Sequence, residues 1–151
     1  IRMSIGSRFQ LPAAVDPAVE LIDSQVHGSQ LQYAVYTIAR LGSAEHIPAL
    51  ERLLTNPSVL SERQRGEEEA FTCQIRDVAL AGLVHLIGKQ PREFGFTELR
   101  PNSNSLYGMN TAGFASEELR FAAFRKWHFW ERTQYRDGLD VAETAVAGGR
   151  L

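Results

Sequence analysis

Cationic and aromatic side chains alternate near the C-terminal end of this chain. Arg120, Arg125, Lys126, Arg132 and Arg136 interleave with Phe124, Trp127, Trp130 and Tyr135. Such a pairing can grip phosphates and stack on flat groups such as bases. The competing reading is a buried aromatic seam whose basic flanks lay their aliphatic stems along it and keep their charges in water. The seam accounts for the tryptophans without a ligand and is favoured. Arg120, Arg125, Lys126 and Arg132 remain candidate binding residues, joined by Tyr107 and Asn110 from a loop upstream.

The other reactive residue types carry less. His27, His46, His85 and His128 are scattered, and none pairs with another histidine or an acid at metal-ligand spacing on a helix. Cys73 is near an expected helix start, where a thiol can be acidified, but no histidine follows close by. It reads as an inert thiol. Glu67, Glu68 and Glu69 point in different directions around a helix and cannot converge on one ion. Glu117 and Glu118 are explained by the positive end of a helix. The glycine-containing stretches lack the strand–loop–helix context of a phosphate loop. The expectation is therefore no catalytic residue, no metal, no cofactor and no enzymatic activity.

Composition narrows the class. A chain of 151 residues suits one domain, residues 1–151, with a real core. A net charge of -2 supplies no bulk attraction to nucleic acid or to an anionic membrane, though a local basic patch stays open. One cysteine excludes an internal disulfide and leans toward a reducing, cytoplasmic setting. No apolar run approaches the ~20 residues that span a bilayer.

The elements that would position these residues read as helices. Ile1, Ile5 and Phe9 share one helical face, as the tail of a helix begun upstream in a longer chain would. Val15, Val19, Ile22 and Val26 share another, after Pro12 and Pro17. Ser29 and Gln32 have capping-box spacing before the stripe Leu31, Val35, Ile38 and Leu41, which Gly42 closes in a left-handed conformation. A short link leads to Ile47, Leu50, Leu53 and Leu54 on an antiparallel partner helix. The stretch from Pro57 to Phe71 is a charged insertion, an exposed loop running into a helix start.

Leu31 to Leu54, with its apolar helix, Leu41-Gly42 and Ser43-x-Glu45-His46-Ile47-Pro48 run, resembles a HEAT-type repeat. Ile75-Arg76-Asp77-x-Ala79-x-x-Gly82-Leu83 resembles the first helix of another. The run from Gln74 through Pro91 to Phe96 resembles a segment of bacterial proteins that carry HEAT-like arrays. The resemblance covers residues 1 to 135 and implies an all-α fold, a HEAT-like α-α superhelix fragment. It implies a non-catalytic interaction or scaffold module whose partner is another protein or another domain of the same chain. The alternative is a nucleic-acid-binding helical repeat of DNA-repair type, working through the basic-aromatic helix. A continuous basic concave groove would favour the alternative.

Two features depart from a regular array. Thr97 to Ala115 shows no helical period and carries Pro101, Asn102, Asn104, Gly108, Asn110 and Gly113. It reads as an inserted irregular coil pinned by Phe94, Phe96, Leu106, Tyr107 and Phe114. Ser116 then caps a helix through Arg132, with Leu119, Ala123, Trp127 and Trp130 as a seam widened by Phe121 and Phe124. Residues 138–151 read as a loose tail.

Overall fold

A computed structural model describes residues 15–24 and 28–149, with side chains as far as residue 134. The expected helix at Ile1 to Phe9, and the flanks Pro12 and Val26, lie outside the described residues. Helix α1, Val15–Asp23, buries Val15, Ala18 and Ile22 at helical spacing. Helix α2, Gly28–Leu41, buries side chains around most of its circumference, including Leu31, Val35, Tyr36 and Ile38. It is central because α1 packs on one side of it and the later helix Ile75–Leu86 on the other.

Two local expectations fail here. Gln32 does not cap: its Nε2 donates to Asn110 Oδ1 at 3.1 Å, and its Oε1 accepts the Asn110 N–H at 2.8 Å. Gly42 is not among the residues with a left-handed backbone. It is needed for closeness instead, since a Cβ there would lie 2.9 Å from His46 Nδ1.

After a 3-10 turn at Ala44–His46, helix α3 is only Ile47–Glu51. A repeat would continue into a third helix. This chain enters a β-hairpin, β1 Val59–Arg65 and β2 Glu68–Gln74, paired antiparallel with Arg65 opposite Glu68. Gly66, at φ 61°, takes the left-handed first position of the two-residue turn, as hairpin turns require. On β2, Phe71 and Cys73 turn inward and are buried while Thr72 between them is only partly buried. That alternation is the period of a strand. The glutamates expected at a helix start instead belong to the turn and the first residues of β2. The all-α, HEAT-like superhelix is thereby overturned: the fold mixes helices with two small antiparallel sheets.

Helix α4, Ile75–Leu86, follows β2 directly and is buried from Val78 to Val84. Asp77 Oδ2 accepts the Gln74 N–H at 2.9 Å and so caps its start. The second helix that a repeat would place after α4 is missing among the described residues. A 3-10 turn, Pro91–Phe94, leads into a coil that holds a second two-stranded sheet, β3 Pro101–Asn102 and β4 Leu106–Tyr107. The coil is pinned by Phe94, Phe96, Tyr107 and Phe114, all buried, and Leu106 packs partly buried beside them. Phe114 and Thr72 exchange backbone hydrogen bonds at 2.9 and 3.0 Å, which ties the coil to β2.

Helix α5, Glu117–Gly149, is the last element, and it runs through much of the stretch read as a loose tail. Ser116 Oγ accepts the Leu119 N–H at 3.2 Å, the expected cap. The seam is narrower than its composition implied. Ala123 and Trp127 are buried, but Leu119 and Phe121 are about half exposed. Trp127 packs on Phe94 and stacks with Trp130 at 5.2 Å. No described helix is long and apolar enough to cross a membrane.

Candidate functional site

The first half of α5 presents two faces, and the six candidate binding residues fall on different sides of the molecule. Arg120 points inward and is fully buried. Its Nε donates to Asp77 Oδ1 at 2.8 Å and its NH2 to Asp77 Oδ2 at 2.9 Å. The same NH2 reaches Thr72 Oγ1 at 2.8 Å, and NH1 meets Glu117. Burial pushes the Asp77 carboxyl above its ordinary value, against the opposing pull of Arg120 and of the Gln74 N–H. The bidentate geometry is that of an ionised pair. Arg120 is therefore spent inside the fold.

Tyr107 is buried as well, edge-on to Tyr36 at 5.6 Å and to His85 at 6.3 Å. Asn110 is exposed but engaged by Gln32, and it holds a left-handed backbone at φ 64°. Neither lines the groove that Arg125, Lys126 and Arg132 of α5 form.

Arg125, Lys126 and Arg132 are brought together. They line a groove of about 650 Å³ beside the Pro91–Phe94 turn. The groove has an apolar lining of Phe94, Ala122 and Trp130, with Phe129 at its rim. Lys89 adds a fourth cation from the link that follows α4, and Glu93 contributes the lone carboxylate of the lining. None of the four cations makes an ion pair with a described residue. Phe129, at 66% exposure, is the most exposed large apolar side chain among the described residues. Sequence reasoning passed over Lys89 and Phe129. Phe129 could have been found: it lies three or four residues from Arg125, Lys126 and Arg132, and such residues are neighbours on a helix. Lys89 carries no such signal because it comes from another element.

The remaining titratable groups are accounted for locally. Cys73 is buried, and burial first and Asp77 second push its thiol up to about 12. His46 Nδ1 accepts the Ser43 N–H at 3.0 Å. His128 lies 3.4 Å from Glu131, whose carboxyl hydrogen-bonds Glu51 on α3. The Tyr36 hydroxyl and Trp127 Nε1 are buried and make no hydrogen bond to a described residue. Among the described residues no cluster of three His, Cys, Asp or Glu side chains could hold a metal ion.

No protein-family model, no curated protein and no solved structure matches the chain. The two hairpins remove the ground for a HEAT-type scaffold, and with it the helical-repeat route to nucleic acid, since the described residues form no stacked array with a concave face. The function has to be read from the α5 groove itself.

Proposed function

We propose that this domain binds a small anionic amphiphile, an apolar body ending in a carboxylate or a similar headgroup, and does not transform it. The observation that carries this reading is the groove between α5 and the Pro91–Phe94 turn. There Lys89, Arg125, Lys126 and Arg132, with Glu93 as the lone carboxylate, line an apolar groove of Phe94 and Trp130 with Phe129 at its rim. Four cations that share one groove and make no ion pair with a described residue repel one another, and an entering anion relieves that repulsion. An apolar body laid over Phe129 removes its exposed ring from water. The volume, about 650 Å³, falls in the range of about 300–1,000 Å³ usual for small-molecule sites. Binding without chemistry is favoured because the described cysteine, Cys73, is buried with its thiol held neutral and does not line this groove, while His128, which does line it, lies 3.4 Å from Glu131.

The test uses Trp130 as a reporter. Tryptophan fluorescence is followed while decanoate, decanol or decylammonium is added below its micellar concentration. Decanoate is expected to saturate, with decanol at least about tenfold weaker because it forfeits the charge-assisted contacts. Arg125→Glu with Lys126→Glu should abolish the decanoate response while circular dichroism stays unchanged. Equal affinity for decanol would remove the anionic half of the reading. An absence of saturation with all of them would remove the reading altogether.

A further inference from the structure

A second surface of α5 faces away from the body. Phe121 and Phe129 are 50% and 66% exposed, and they are eight residues apart, about 12 Å along a helix. Arg125 sits four residues from each, and Arg132 three beyond Phe129, so these side chains share one face. The opposite face holds the buried Arg120, Ala123 and Trp127. Phe121 lies outside the groove lining, whereas Arg125, Phe129 and Arg132 lie at its rim.

We propose that this outward face, from Phe121 to Arg132, seats on an anionic lipid surface, with both phenylalanines in the headgroup–acyl boundary and both arginines on lipid phosphates. A helix that lies in a membrane interface needs large apolar rings and basic groups on the same side. Arginine fits between such rings because its stem lies along the apolar layer while its guanidinium reaches outward to the phosphates. Glu118, three residues before Phe121, is the one carboxylate on this face between residues 118 and 132, so positive charge dominates it. The chain as a whole carries -2, so the attraction is local and requires acidic lipid. The surface extends the groove reading, sharing three residues with it, and Phe121 separates the two.

The experiment is co-sedimentation of the full chain with phosphatidylcholine vesicles, with and without phosphatidylserine, at low and physiological salt. Binding is expected only with phosphatidylserine, weakening as salt rises. Arg125→Glu and Phe121→Ser are each expected to weaken it by about tenfold or more. Phe121→Ser should leave the decanoate titration unchanged, so loss of one activity does not imply loss of the other. Equal binding to both vesicles, no binding to either, or wild-type binding by Phe121→Ser would overturn the proposal. Displacement from vesicles by a single-stranded oligonucleotide that binds Phe121→Ser as well as wild type would also overturn it, assigning the face to polyanions instead.

Discussion

Arg120 and Asp77 face each other through two parallel hydrogen bonds of 2.8 and 2.9 Å, both side chains essentially without solvent contact. Asp77 already caps α4, and Arg120 also holds Thr72 of β2. One guanidinium thus fixes the position of α5 against a strand and a helix that are more than forty residues away in sequence.

Breaking that pair is costly because the surviving charge stays buried. Arg120→Met is expected to destabilise the fold by about 3–5 kcal/mol, with Asp77→Leu alone in the same range. The double variant should lose far less than the two single losses combined, since neither charge is then stranded. Urea denaturation of all four proteins reads the cycle. Simple additivity would mean that the pair is not coupled as its geometry requires.

Gly82 marks the closest approach of α4 to its neighbours. A Cβ there would lie 2.9 Å from Val35 Cγ1, 3.2 Å from Leu50 Cδ1 and 3.5 Å from Ala39 Cβ. Gly82→Leu forces those side chains apart and should cost about 1–3 kcal/mol or more. Gly82→Ala sets a gain in helix propensity against the crowding and should cost less. An unchanged urea midpoint for the leucine variant would show that α2, α3 and α4 do not meet there.

Glu51 gives the fold a pH dependence with a definite sign. Its hydrogen bond to the Glu131 carboxyl, then burial, then the Glu131 charge raise its pKa from 4.5 to about 7. The folded protein therefore holds a proton that the unfolded chain has released between these values. In that window stability falls as pH rises, fully present below the lower value and lost through the upper one. Glu51 is only half-buried, so solvent screening reduces the effect to about 1 kcal/mol. Glu51→Gln should flatten the change in urea midpoint between about pH 5 and about pH 8. A slope that persists unaltered in the variant would place its origin elsewhere.

The helices were legible because their apolar residues recur at helical spacing, and Val15, Ile22, Val35, Ile38, Val78 and Leu83 are buried as that spacing requires. The first hairpin was not legible. Ser61, Glu62, Arg63, Gln64 and Arg65 in β1 show no alternation, and Glu67 to Glu69 imitate a helix start. Only the short run Phe71-Thr72-Cys73 keeps the period of a strand, too brief to outweigh a repeat pattern on either side. Gln32 misled for another reason: its spacing from Ser29 fits a cap, but its partner Asn110 is 78 residues away. In the site, Arg125, Lys126 and Arg132 could be read from the helix, as neighbours on one element. Arg120 belonged to the same series, and nothing local distinguishes it. Its burial is decided by Asp77, 43 residues distant. Phe121 reads as widening the buried seam, but it lies eight residues from the outward Phe129 on the same helix face and is half exposed.

The polar make-up of β1 has a further effect, on self-association. Among the described residues β1 pairs only with β2, so its outer edge offers free backbone N–H and C=O groups to any other chain. Such an edge is a template for edge-to-edge aggregation. Glu62, Arg63 and Arg65 line this strand, and its ladder is irregular between Val59 and Ser61 and again between Arg63 and Arg65. Charge and broken register both spoil the docking of a second strand. The residues that conceal β1 from a reading of hydrophobic period thus also keep it from recruiting copies of itself.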